Sequence, residues 1–375
     1  MTRAGRAHCW AALLTLCALG HAAHADSRTT DRLLGIVAAS APPELAHDLA
    51  RDHGLELIGE WPLAALDERC IEFAVGEAKL AADRLERLAR DPRVDAAQFS
   101  HRHRVAGAAA AVPPSRAMTD PYFDLQMRTR RREVGWLLEQ GSGRGVRIAV
   151  IDTGVDTNHP DLVGQLAEAT NFVSGDPAMV PAEFHGTAVV GLIAARSGNG
   201  IGIHGLAPSA EIFALRACWE PIYAYGLCST HTLARALDHA IDMRAHIINL
   251  SLAGPDDALL TRLVERAIEL GAVVFGAVGD DPEQTFPASI ASVVAVQQGI
   301  DDDIENPASG LGISIAGLQV LSTVPDGRYD FVSGPSFATA HASGVAAVML
   351  GLEPRSRAPD LVAWLRRAHA GDASH

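Results

Sequence analysis

Val146-Arg147-Ile148-Ala149-Val150-Ile151 runs directly into Asp152-Thr153-Gly154. Only Arg147 interrupts the apolar run and β-branched residues dominate it, so it reads as a strand buried for most of its length, as in a parallel sheet. Ile247-Ile248-Asn249-Leu250, which leads into Ser251-Leu252-Ala253-Gly254, is a second run of the same kind. An apolar strand ending in Asp-Thr-Gly has two functional readings. One is half of an aspartic-protease carboxylate pair, which needs a second Asp-Thr/Ser-Gly copy, and the chain has none. The other is a carboxylate at the carboxyl end of a parallel strand, where open α/β sheets place their sites. An aspartate that merely caps the following turn remains open at this point.

Two further motifs narrow the choice. Phe184-His185-Gly186-Thr187-Ala188-Val189-Val190-Gly191 opens a helix of small residues, with His185 lying 33 positions after Asp152. Ser333-Gly334-Pro335-Ser336-Phe337-Ala338-Thr339-Ala340-His341 opens another, continuing through Ala, Val, Met and Leu to Leu350. A serine at such a helix start sits where unpaired amides and the helix dipole favour negative charge, which suits a nucleophile that generates an oxyanion. It also suits a plain N-cap. Taken together the three give the order Asp…His…Ser, one of the known chain orders of a nucleophilic triad.

With these residues in view, the chain resembles the subtilisin-like serine proteases from about Asp120 to Leu350. Ile151 to Asp156 with His159-Pro160-Asp161-Leu162 is similar to the family's Asp region, His185-Gly186-Thr187 to its His region, and Gly334 to Thr339 to its Ser region. The resemblance implies a doubly wound parallel α/β catalytic domain. It also implies Ser336 as nucleophile, His185 as general base and Asp152 as the group that orients the imidazole. Ser251, Leu252, Ala253 and Gly254 would line one wall of the substrate cleft, with Ala277 and Gly279 at the next strand end. Gly226-Leu227-Cys228 would form the opposing edge, and an extended peptide would add between them. No cofactor is implied for the chemistry. A structural calcium ion is, held by Gln126, Asp161, Asn199 and carbonyls of the Ser197–Ile203 loop.

One position departs from the family. Gly271 to Gly279 matches a strand that normally ends in asparagine, whose amide donates to the oxyanion; here the residue is Asp280. An ionised carboxylate has no hydrogen to give. The expectation is a slow or acid-favouring endopeptidase, the alternative a peptide-binding pseudoprotease of the same fold. An α/β-hydrolase lipase or esterase is disfavoured by the chain order and by the missing second elbow glycine. Pro335 replaces a usual threonine, and its missing N–H would forfeit any contact made there.

Arg3 and Arg6, the apolar run Cys9–Gly20 and Ala23-His24-Ala25 form a secretory-signal pattern over residues 1–25, cut before Asp26. Secretion to the periplasm or beyond is the expectation; a lipoprotein reading through Cys17 is weaker because bulky Leu16 precedes it. Residues 26–105 alternate as βαββαβ, the order of a ferredoxin-like domain, and resemble the family's inhibitory propeptide. Residues 106–117, rich in Ala and Pro, read as a linker, and residues 118–375 as the catalytic domain. Cys218 and Cys228, ten apart, are expected to form a disulfide in an oxidising compartment. A formal charge of −14 argues against nucleic acid. After the signal no stretch reads as membrane-spanning, and the expected species is a monomer whose partners are peptide substrates and its own propeptide.

Overall fold

In the computed structural model, the described residues are 28–76, 78–105, 108–110, 120–127, 140–222, 225–279, 281, 284–299 and 311–369. The expected signal segment and Asp280 lie outside them.

The N-terminal unit runs β1 (Arg28–Ala38), α1 (Leu45–His53), β2 (Glu56–Leu63), β3 (Glu68–Ala74), α2 (Ala81–Ala89) and β4 (Ala96–Val105). Its antiparallel strands lie in the order β2-β3-β1-β4, the βαββαβ arrangement expected from the alternation. One face of the sheet meets the two helices through Leu33, Ile71, Phe73, Leu49 and Leu88, all fully buried. Burying such side chains is worth about 1.5–3 kcal/mol each.

Next come β5 (Ala108–Ala110) and α3 (Phe123–Met127), then β6 (Arg147–Asp152), β7 (Leu166–Asn171), α4 (Phe184–Ala194) and β8 (Glu211–Arg216). A hairpin of β9 (Cys218–Ile222) and β10 (Tyr225–Ser229) leads to α5 (Thr230–Asp242), β11 (Ile247–Leu250), β12 (Leu252–Ala253), α6 (Ala258–Glu269) and β13 (Val273–Ala277). The chain closes with β14 (Val294–Gly299), β15 (Ile313–Ala316), β16 (Val320–Val324), β17 (Arg328–Ser333), α7 (Pro335–Leu352) and α8 (Ala358–His369). Seven parallel strands take the order β15-β14-β13-β11-β6-β8-β7. From β6 the chain passes to the edge strand β7 and returns to β8 between them, then crosses to the other side of β6 and builds outward from β11 to β15. The order therefore reverses between β6 and β11, and a doubly wound sheet places its crevice at the carboxyl ends of such a pair.

Helices α4 and α7 pack against each other on one face of this sheet, every residue of α4 and all from Pro335 to Leu350 being buried. A helix buried all round lacks an apolar stripe. By length and composition alone α7 is apolar enough to cross a membrane, but 89% of it is buried inside the protein, as in the core helix of a globular domain. The expected linker also differs in part, because Ala108–Ala110 pairs with β17 as a third strand.

Candidate active site

The two strands at the reversal deliver the first parts of the site. Asp152 ends β6, and β11 ends just before Ser251. His185, the second residue of α4, sets its Nδ1 2.8 Å from Asp152 Oδ1. Ser336 is the second residue of α7. Its helix starts at Gly334, whose φ of 148° and ψ of 162° belong to a region open essentially to glycine alone. Pro335 takes the first helical position, where the amide hydrogen it lacks would have been an orphan anyway. The contact loss expected from proline is therefore small. The ring of Phe337 lies 5.3 Å from that of His185. All three motif residues are brought into one crevice and all are buried.

The Ser336 hydroxyl donates to the carbonyl of Ser251 at 2.8 Å, while Ser251 Oγ donates back to the carbonyl of Ser336 at 2.9 Å. Asn249 Nδ2 donates to Ser251 Oγ, and Ser343 Oγ to Asn249 Oδ1. This buried chain ties α7 to the end of β11. Because a hydroxyl has one hydrogen, Ser336 in this rotamer directs it at Ser251.

Residues that the motifs did not reveal position the histidine. Glu183 supplies no side-chain cap to α4. Instead Glu220 reaches over from β9, one oxygen accepting the His185 N–H at 2.7 Å and the other the Phe184 N–H at 3.0 Å. Burial raises the Glu220 carboxyl above its ordinary value, against the lowering effect of those amides. Glu183 forms a two-point ion pair with Arg216, at 2.9 and 2.8 Å, and accepts from the Gly154 and Glu220 amides. Burial opposes its charge, but Arg216 and the amides outweigh that and hold it below its ordinary value. Glu183 is adjacent to the His motif and Glu220 lies between the two cysteines; neither position in the sequence announces that they meet. Cys218 and Cys228 are bonded, directly opposite each other across the β9–β10 hairpin.

Of the residues expected to line a cleft, Ser251 to Gly254 follow β11, and Ala277 and Gly279 lie at the end of β13. Leu252 and Ala253 form β12, Gly254 bridges to Phe286, Ala277 ends β13, and Gly279 lies against Ala253. On the far side stands β10. Between the walls runs β4, antiparallel to both: Arg104 pairs with Leu227 and Ala253, His103 with Cys228, and Val105 with Leu252. The N-terminal sheet thus continues through its edge strand into the catalytic unit.

The three calcium candidates surround one loop. Asp161 accepts from Asn199 Nδ2 at 2.8 Å, the Ile203 N–H at 2.9 Å and Tyr329 OH at 2.9 Å, and Gln126 Oε1 accepts from the His204 N–H. Burial pushes the Asp161 carboxyl up, partly offset by these neutral donors. Among the described residues no group of three or more His, Cys, Asp or Glu side chains could hold a metal.

Residues 143–374 match the model of the subtilase family. The chain belongs to the subtilase family. This subtilase is 38% identical to M-protease of Shouchella clausii over 222 residues, 57% of the chain and 56% of that protein. Subtilisin Savinase of Lederbergia lenta is 37% identical over 57% of the chain and 79% of its own length. A thermostable alkaline protease of Halalkalibacterium halodurans is 33% identical over 290 residues, 76% and 74% of the two chains. The subtilase thus spans just over half of some relatives and about three quarters of others. In fold it is similar to fervidolysin of Fervidobacterium pennivorans, a keratinolytic enzyme related to subtilisin. The TM-score there is 0.67 at 21% identity, covering 88% of this chain and 55% of that one.

Proposed function

We propose that this subtilase is a secreted serine endopeptidase whose residues 26–105 act as an inhibitory propeptide. One observation carries the reading: β4 lies between β10 and β12 as an extended peptide would, and leads toward Ser336. In the proposed reaction Ser336 turns its hydroxyl from Ser251 to His185 Nε2. Its Oγ attacks the scissile carbonyl, His185 takes the proton and returns it to the leaving amine, and water then releases the acyl group by the same route. Asp152 accepts from His185 Nδ1–H, fixing the tautomer and stabilising the imidazolium. By the family resemblance alone, the Ser336 amide and the side chain at 280 are assigned to the oxyanion; with Asp at 280, turnover is slow or favours acid, where a protonated carboxyl donates.

The register supports one processing bond. Val105 pairs with Leu252, the neighbour of Ser251; on the other side Ala108 pairs with Ser333, three residues before Ser336. Two residues separate these ladders in the sequence, and the bond proposed as the one processed is that between Ala106 and Gly107. The buried triad suits an enzyme still covered by its own propeptide. The signal-like residues 1–25 and the disulfide support secretion. A structural calcium ion fits Asp161, whose described partners bring neutral hydrogens and no full positive charge; the ion would supply that charge, with Gln126 and Asn199 adding oxygens.

N-terminal sequencing of purified wild type and Ser336→Ala tests the reading. The expected result is a new terminus at Gly107 in wild type only, with wild type alone labelled by an active-site serine probe. An uncut, unlabelled wild type favours the pseudoprotease, the reading toward which Asp280 points.

A further inference from the structure

Asp257 lies outside the triad, yet three side chains of the strand in the cleft converge on it. Gln98 Nε2 donates to Asp257 Oδ1 at 2.9 Å, His101 Nδ1 lies 3.3 Å from Oδ2, and His103 Nε2 lies 3.8 Å from the same oxygen. On the catalytic side Asp257 caps α6 through the Leu259 and Leu260 amides and accepts from Thr230 Oγ1 at 2.6 Å. It is 1% exposed, and the His103 ring is fully buried.

The surroundings of that ring are shaped for it. Phe286 meets it edge-on, with centroids 5.2 Å apart. A Cβ at Gly254 would fall 2.0 Å from His103 Nδ1, so the wall residue must be glycine for the ring to enter. Neither ring nitrogen has a hydrogen-bond partner among the described residues. Asp257 Oδ2 stands 3.8 Å from Nε2 on the catalytic side, and a buried imidazole with no polar group opposite it is costly. Counting back from the proposed cut after residue 106, His103 is the fourth residue before the bond and His101 the sixth.

We propose that Asp257 is a specificity-determining residue, selecting substrate segments that carry imidazole side chains at the fourth and sixth positions before the cut. The N-terminal strand is the first such segment the enzyme meets, and external peptides enter the same pocket once it has left. The inference rests on the proteolytic function proposed above and refines its substrate class.

The test uses the enzyme matured by its own processing. Two peptides are compared, one with the sequence of residues 99–110 and one with leucine in place of the histidine at position 103. Wild type is expected to favour the histidine peptide at least about tenfold in kcat/KM, in the range one pocket contact can discriminate. Asp257→Asn keeps a good helix cap and is expected to reduce the ratio to below about threefold as the charge is lost. Gly254→Ala, which fills the pocket from the other side, is expected to abolish the preference. A wild-type ratio near one overturns the proposal, as does a ratio unchanged in Asp257→Asn. Casein cleavage is followed in parallel: hydrolysis of casein without peptide discrimination overturns this inference alone, and no hydrolysis at all overturns the proposed function with it.

Discussion

At the scale of single residues, rate in the proposed mechanism rests on the hydroxyl of Ser336 and the carboxyl at position 280. Losing one oxyanion donor costs on the order of 10²–10³-fold in turnover, a range measured in a subtilisin. Asp280→Asn is therefore expected to raise kcat at neutral pH by at least about tenfold and to move the optimum upward. A pH–rate profile of both proteins checks this, and no gain would remove Asp280 from the oxyanion account. Glu183 governs stability instead. Its folded carboxyl titrates below the ordinary 4.5, so the ion pair contributes fully above that value and is lost as pH falls through the folded pKa. Glu183→Gln leaves Arg216 buried without its charge partner and should cost about 3 kcal/mol near neutrality. Urea midpoints between pH 3 and 7 should fall on acidification in wild type and stay flatter in the variant. Asp152, His185 and Ser336 were legible from their motifs because each stands in a short, characteristic neighbourhood. Which way Ser336 points its hydrogen was not, since its acceptor lies 85 residues away.

At the scale of elements, the strands were easier to read than the helices' roles. Val146 to Asp152 and Ile247 to Leu250 are continuous apolar runs, and they form neighbouring strands of the central sheet. Helices α4 and α7, buried on every side, carry no 3.6-residue pattern to indicate what they pack against. The cap of α4 is borrowed from β9, and the hairpin that holds β9 is closed by the Cys218–Cys228 bond. Glu220→Ala should thus lower stability by about 1–2 kcal/mol, as other lost caps do. As a positioning change it should lower kcat more than KM, with partial rescue by Glu220→Gln. Reducing the disulfide should move kcat in the same direction. Steady-state kinetics on peptide substrates, with and without reductant, separate this from a purely structural role, which would alter stability and leave the kcat to KM balance untouched.

At the scale of the whole molecule, the N-terminal unit is held to the catalytic unit by polar and aromatic contacts as well as by β4. Trp61 stacks on His231 with ring centroids 3.8 Å apart, His231 meets Glu72 at 2.9 Å, Arg262 meets Glu68 at 2.7 Å, and Asp238 receives the Ala64 and Ala65 amides. On the proposed calcium reading, chelation removes a ligand that binds only the folded state, so the melting temperature should fall by several degrees and recover on adding calcium. Scanning fluorimetry with chelator checks it, and an unchanged midpoint would remove calcium from Asp161. Local pattern indicated buried strands of the parallel-sheet kind and the βαββαβ order, because each depends on neighbours within a few residues; the doubly wound fold and the three motif residues rested on the resemblance to the subtilases, and the cysteine pair on an oxidising compartment. The strand lodged in the cleft, the cap from Glu220 and the pocket closed by Asp257 depend on residues far apart in the chain: His231 meets Glu72 across 159 positions, and Gln98 meets Asp257 across the same distance. Such pairs form only once the sheets have closed, since no side chain carries a local mark of the distant partner that its backbone will be packed against.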